Sequence, residues 1–157
     1  AFEKFGVKPD LVCIAKGLGG GFPIGAVVAS GKAAECISYG DHGSTFGGNP
    51  LACSVALAIL EELLEKGVLE NVELMGRYFV DKLQTLKEKH NSIVSIRGMG
   101  LLLGLQLSTD TKAFIDRCVD SGLLLVAAGA DVVRILPPLN IQKEYIDRAV
   151  DIIDSNL

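Results

Sequence analysis

Leu11-Val12-Cys13-Ile14-Ala15-Lys16-Gly17-Leu18-Gly19-Gly20-Gly21-Phe22-Pro23-Ile24-Gly25-Ala26 sets one primary amine at the end of an apolar run. Backbone with almost no side chains follows at once. The run from Leu11 to Ala15 reads as a short buried strand of a parallel sheet. Gly17 to Gly21 reads as a loop, and Ile24 to Ala29 as a second strand. About twenty residues past the lysine comes another glycine-rich stretch, Gly43-Ser44-Thr45-Phe46-Gly47-Gly48-Asn49-Pro50. An amine facing bare backbone and hydroxyls suits a phosphorylated carbonyl ligand. The amine can form a Schiff base, while backbone N–H groups and hydroxyls hold the phosphate.

Other glycine-rich phosphate motifs do not fit. A P-loop needs Gly-x-x-x-x-Gly-Lys-Ser/Thr, but Gly31-Lys32 is followed by Ala33 and has Ala26 in the first glycine's place. A dinucleotide fingerprint needs Gly-x-Gly-x-x-Gly. Gly17-Leu18-Gly19 reaches Phe22 at the last position and Gly19-Gly20-Gly21 reaches Ile24. Taken alone, Lys16 could be a surface lysine at a strand end, and Ser44 and Thr45 ordinary turn hydroxyls.

Four segments resemble the class III pyridoxal-phosphate aminotransferases. They are Val7 to Ala26, His42 to Ala52, Ile96-Arg97-Gly98-Met99-Gly100-Leu101 and Val132-Val133-Arg134-Ile135-Leu136-Pro137-Pro138-Leu139. The resemblance covers essentially the whole chain. It implies pyridoxal 5′-phosphate as cofactor, with Lys16 as its covalent anchor and catalytic base. Thr45 would bind the cofactor phosphate of the partner subunit, and Ser44 would lie by the substrate. Arg134 would grip the α-carboxylate of glutamate or 2-oxoglutarate, the bidentate task that suits a guanidinium. A plain edge-strand arginine is the competing reading of Arg134. Arg97 reads as structural, and so do Asp41 and His42.

The last segment is most similar to the members that move an amino group from N2-acetylornithine to 2-oxoglutarate in arginine biosynthesis. Members using ornithine, succinylornithine or 4-aminobutyrate are alternatives, and a non-catalytic interaction fragment is another. The implied assembly is a cytoplasmic homodimer of the fold-type-I kind. The chain opens at Ala1-Phe2-Glu3 without a methionine, and the lysine motif of the family falls past the middle of a longer chain. The expectation is therefore a C-terminal portion, inactive by itself. The family's ring-stacking aromatic, pyridine-nitrogen acid and first phosphate loop have no counterpart here.

Composition bounds the rest. At 157 residues, 49% hydrophobic and 22% charged, the chain is globular rather than disordered. A formal net charge of −4 gives no reason to expect nucleic acid or an anionic membrane as partner. The longest stretch free of Asp, Glu, Lys and Arg, His42 to Leu60, begins with Gly, Ser, Asn and Pro and cannot span a membrane as a helix. The cysteines at 13, 36, 53 and 118 lack metal-ligand spacing and read as reduced, mostly buried thiols. No metal site is expected.

Lys32 to Ile37 reads as a short helix. Pro50 fits the first turn of a longer one, capped by Asn49, with Leu51, Val55, Ala58, Ile59 and Leu63 on its apolar side. Gly67 breaks it, and a second helix follows from about Leu69 to Lys89, offering Leu74, Tyr78, Leu83 and Leu86 to a core. Strands are expected at Ile93 to Ile96, Leu101 to Leu107, Leu123 to Val126 and Val132 to Leu136. Helices are expected at Thr111 to Ser121, closed by Gly122, and at Gln142 to Asn156. The fold class is thus α/β plus α+β. Residues 1–67 would be the end of a large cofactor domain, and 68–157 a bridging helix with a small C-terminal domain.

Overall fold

The computed structural model describes residues 2–157 and places the strand before Lys16 at β1 (Leu11–Ile14). β1 pairs with β2 (Ala26–Ala29), Leu11 opposite Ala29 and Ile14 opposite Ala26. The pairing is antiparallel, not parallel as the apolar run suggests. The turn between them brings the chain back without a crossover, and parallel neighbours need one. β1 is also largely exposed. A two-stranded ribbon has no second layer to bury it.

Two compact units result, one ending at Lys66 and the other spanning Gly67–Leu157. In the first, a short 3-10 helix (Lys16–Gly19) follows β1, and α1 is only Lys32–Glu35. α2 (Pro50–Glu65) starts as its capping residues require. Asn49 Oδ1 accepts from the Ala52 N–H at 2.9 Å, and proline occupies the first turn. The buried side of α2 carries Ala52 and Ala56, with Val55 and Ile59 half-buried. Leu51 and Ala58 are exposed. The expected seam is therefore turned by about one residue. Small side chains let α2 approach the 3-10 helix, where a Cβ on Gly20 would meet Ile59 Cδ1 at 2.7 Å.

Gly67, at φ +73, separates α2 from α3 (Val68–Lys89). The second unit continues with β3 (Ile93–Met99), β4 (Leu102–Leu107), α4 (Thr111–Asp120), β5 (Val126–Ala127), β6 (Val132–Ile135) and α5 (Lys143–Asn156). The sheet order is β3-β4-β6-β5, all pairs antiparallel. Along β4, Leu103, Leu105 and Leu107 are buried and alternate with Leu102, Gly104 and Gln106. The buried face meets Phe79, Leu83 and Leu86 of α3, Phe114 and Cys118 of α4, and Ile146 and Ile153 of α5. On α3 the core residues are Gly76 and Phe79 where Leu74 and Tyr78 were expected. Leu74 is exposed, and Tyr78 is only partly buried.

All four cysteines are free, and only Cys118 is buried. Cys13 and Cys36 are exposed and Cys53 is half-buried, which corrects the expectation of mostly buried thiols. Burial pushes the Cys118 thiol up. Among the described residues, no helix is long and apolar enough to cross a membrane.

Three sets of contacts set how α3 sits. A Cβ on Gly76 would lie 2.5 Å from the Gly100 carbonyl oxygen, so the helix rests on the backbone of the β3–β4 turn. Toward α5, the Tyr78 hydroxyl donates to Asp147 Oδ1 at 2.5 Å and Lys82 Nζ lies 3.0 Å from the same oxygen. At the C-terminal end of α3, His90 Nε2 and Asp154 Oδ1 are 2.5 Å apart, with Lys89 Nζ 3.4 Å from Oδ2.

Gly76→Ala should lower stability by about 1–3 kcal/mol, the usual cost of forcing atoms into a filled site. A denaturant midpoint equal to the parent's would mean that the turn moves aside freely.

The Tyr78 hydrogen bond and then Lys82 hold the Asp147 carboxyl below the ordinary range; His90 and then Lys89 do so for Asp154. Both groups titrate lower when folded than when unfolded. Their contribution is therefore complete above the unfolded carboxylate value of about 3.9 and is lost as pH falls through the lower folded values. A chain carrying Asp147→Asn and Asp154→Asn should be less stable at neutral pH. Denaturant titrations should show it losing less stability than the parent below about pH 4.

Candidate functional site

β1 delivers the chain to Lys16 in extended form, Ala15 having φ −154° and ψ −166°. Lys16 then turns to φ +51°, and it is the only non-glycine residue with positive φ among the described residues. A left-handed lysine is strained by roughly 1–3 kcal/mol, a cost that surrounding structure must hold in place. The turn after it supplies that constraint. The Leu18 N–H donates to Ala15 O at 3.2 Å, the Gly20 N–H to Gly17 O at 3.2 Å and the Phe22 N–H to Gly19 O at 2.8 Å. Gly20, itself at φ +54°, closes the 3-10 helix. The effect is to stand one amine off the end of a strand, beside backbone without side chains. A Cβ on Gly17 or Gly21 would meet nothing within 4 Å.

Lys16 is exposed. Its ammonium makes no side-chain hydrogen bond or ion pair among the described residues.

The second loop is held by its own short contacts. Ser44 Oγ accepts from the Gly47 N–H at 3.0 Å, and a Cβ on Gly47 would lie 2.9 Å from Ser44 Cβ. Asn49 Nδ2 donates to Phe46 O at 2.8 Å. These bonds present Thr45, exposed and without a side-chain hydrogen bond among the described residues, at the crest of the loop. Ser44 keeps its O–H as a donor. The Ser38 N–H donates to Asp41 Oδ2 at 2.7 Å, so Asp41 has a turn-stabilising role. No side-chain hydrogen bond joins Lys16, Ser44 and Thr45 to one another among the described residues.

Arg134 belongs to the second unit. It lies on β6, which pairs with β4 on one side and β5 on the other. The edge-strand alternative is therefore excluded. Arg134 is not buried either. Val132, Val133 and Ile135 are buried, while Arg134 is exposed on the face away from the helices. Its guanidinium has no hydrogen bond or ion pair among the described residues. Arg97, set aside as structural from the sequence, stands in the same cross-strand row, opposite Gly104. That shared row depends on register, which neither local segment carries. Among the described residues, no group of three or more His, Cys, Asp or Glu could hold a metal ion.

Comparison with known proteins places these features in context. The family model described as aminotransferase class-III matches residues 1–157. The acetylornithine aminotransferase of Clostridium acetobutylicum is 54% identical over 158 residues, covering 100% of this chain and 41% of that protein. Among solved structures, the acetylornithine aminotransferase from Elizabethkingia anophelis superposes with a TM-score of 0.90 at 34% identity, covering 98% of this chain and 42% of that one. The ornithine delta-aminotransferase of Plasmodium falciparum superposes with a TM-score of 0.91 at 30% identity, covering 99% of this chain and 41% of that one. The chain thus spans about 41% of the length of the curated relative.

Proposed function

Because this chain belongs to the class III aminotransferases, a pyridoxal-phosphate-dependent family, we propose that it forms the lysine-bearing part of an enzyme that moves an amino group from N2-acetylornithine to 2-oxoglutarate. The observation that carries this reading is the 54% identity to an acetylornithine aminotransferase over the whole chain. A donor such as ornithine is the second reading. It is kept because the backbone matches an ornithine aminotransferase equally well. The first unit would be the end of the large cofactor domain, and the second the bridging helix and small domain of a cytoplasmic homodimer.

The residues present fit pyridoxal 5′-phosphate. They offer an amine raised on a strained turn, bare backbone beside it, and an unengaged hydroxyl at a glycine-flanked crest. When bound, the cofactor supplies an electron-withdrawing ring that stabilises negative charge at the substrate Cα. Lys16 Nζ would hold the cofactor and, once released from it, carry the proton between the substrate Cα and the cofactor's C4′. The fixed backbone at φ +51° limits where that amine can swing. Thr45 Oγ1–H would donate to a phosphate oxygen across the subunit boundary, and Ser44 would use its free O–H toward substrate. Arg134 would fork onto the α-carboxylate of the acid.

Borohydride reduction of the enzyme loaded with pyridoxal phosphate, followed by peptide mapping, should place the pyridoxyl adduct on Lys16. An adduct on Lys8 or Lys32 would refute the assignment. Arg134→Lys keeps the charge but loses the fork, and should raise KM for 2-oxoglutarate by about tenfold or more. Unchanged kinetics would reduce Arg134 to a strand residue.

A further inference from the structure

After α4, Gly122 takes φ +86° and the chain runs through Leu123, Leu124 and Leu125 before it joins the sheet at β5. After β6, Pro137 and Pro138 have no N–H with which to continue a ladder, and the chain leaves the sheet. Both departures border one half-open groove of about 380 Å³, and α5 closes its third side with the small Ala149 facing inward. The floor is core, since Phe79, Ile135 and Ile153 are each at most 4% exposed. Ile135 reaches this floor from the helix-covered side of the sheet, opposite the face that bears Arg134.

Leu124 and Leu136 stand on the walls and are 84% and 63% exposed. Large apolar side chains left in water around a core-lined hollow mark a binding surface, where the same side chains scattered singly would not. The volume falls within the roughly 300–1,000 Å³ of small-molecule sites.

The rim carries a charge. Arg148 and Tyr145 stand one turn apart on α5 and border the same groove. Both are exposed, and neither the guanidinium nor the phenol has a hydrogen bond or ion pair among the described residues. Glu144 and Asp151 lie within a turn of Arg148 on α5, yet no carboxylate pairs with it. Nearby backbone donors are already used. The Gly122 N–H donates to Val119 O at 2.9 Å, and the Leu123 N–H to Cys118 O at 2.8 Å. The groove therefore combines an apolar body with one free planar cation and one free hydroxyl at its edge.

We propose that this groove is a binding site for an apolar monocarboxylate, its hydrocarbon body over Phe79, Ile135 and Ile153 and its carboxylate forked by Arg148. Burial of hydrocarbon supplies the affinity. The guanidinium selects the anion and sets which way round it lies. A second charged group on the ligand would have to enter the apolar floor, so diacids are disfavoured. No residue assigned to cofactor or substrate lines the groove, and the proposal stands apart from the aminotransferase reading.

The test uses the 157-residue chain with labelled methyl groups, followed by NMR, with octanoate as the probe and octanamide as its uncharged comparator. Octanoate should shift the Leu124, Leu136 and Ile152 methyls together and saturably, leaving Val27 and Val28 of β2 in place. It should bind about tenfold more tightly than octanamide, the scale of a charge-assisted fork. Arg148→Gln should bring octanoate down to the octanamide level, and Arg148→Lys should fall between. Arg148 is exposed, so these variants keep the core, and unshifted Leu103 and Leu105 methyls would show it. Equal binding of acid and amide, full octanoate affinity in Arg148→Gln, or shifts spread over both units would overturn the site. Sedimentation of the same chain reads a different occupant. A dimer that Leu124→Glu returns to monomer, with no octanoate bound, would assign the groove to a second copy and refute the ligand.

Discussion

The second unit depends on one constraint: its antiparallel sheet packs one face against the helices. Leu103, Leu105 and Leu107 of β4 are each at most 2% exposed, and Val133 and Ile135 of β6 lie beside them. Each such side chain contributes roughly 1.5–3 kcal/mol when withdrawn from water. Because side chains alternate along a strand, burying these residues turns Gly104, Gln106 and Arg134 outward. The outward position of Arg134 is thus a consequence of where the leucines went.

Helix α3 adds a second constraint by resting on backbone. With no side chain at Gly76, the helix touches the Gly100 carbonyl region, and Gly100 itself takes φ +55° to make the turn. This contact anchors the β3–β4 turn, and the pairing of β3 with β4 sets Arg97 opposite Gly104. A close approach in the core therefore reaches the open face through strand register.

The first unit rests on different physics. Among its described residues only Gly19, Ala52 and Ala56 are buried. Its order comes from short-range hydrogen bonds: the 3-10 turn after Lys16, the Ser44–Gly47 loop bond and the Asn49 cap. Such bonds hold a lysine at φ +51° without a large core around it. Strain at a residue that would do chemistry is where local rules and function are expected to disagree.

The features legible in the sequence are those whose physics spans four or five residues. Asn49-Pro50 starts a helix, Gly67 and Gly122 end helices, the periodicity of Ile146, Ala149, Val150 and Ile153 names a buried face, and Lys16 between an apolar run and glycines marks the candidate site. Caps, turns and periodicity need no distant partner. The rest required the tertiary structure. The antiparallel sense of β1 and β2, the choice of Gly76 and Phe79 over Leu74, and the exposure of Arg134 each depend on a neighbour far away in sequence. The row Arg97–Gly104–Arg134 joins residues up to 37 positions apart (134 minus 97) through hydrogen-bond register. A one-residue slip would send every side chain on a strand to the opposite face. Residue types alone could therefore nominate the lysine and the arginine, but only the folded sheet could decide which arginines share a surface.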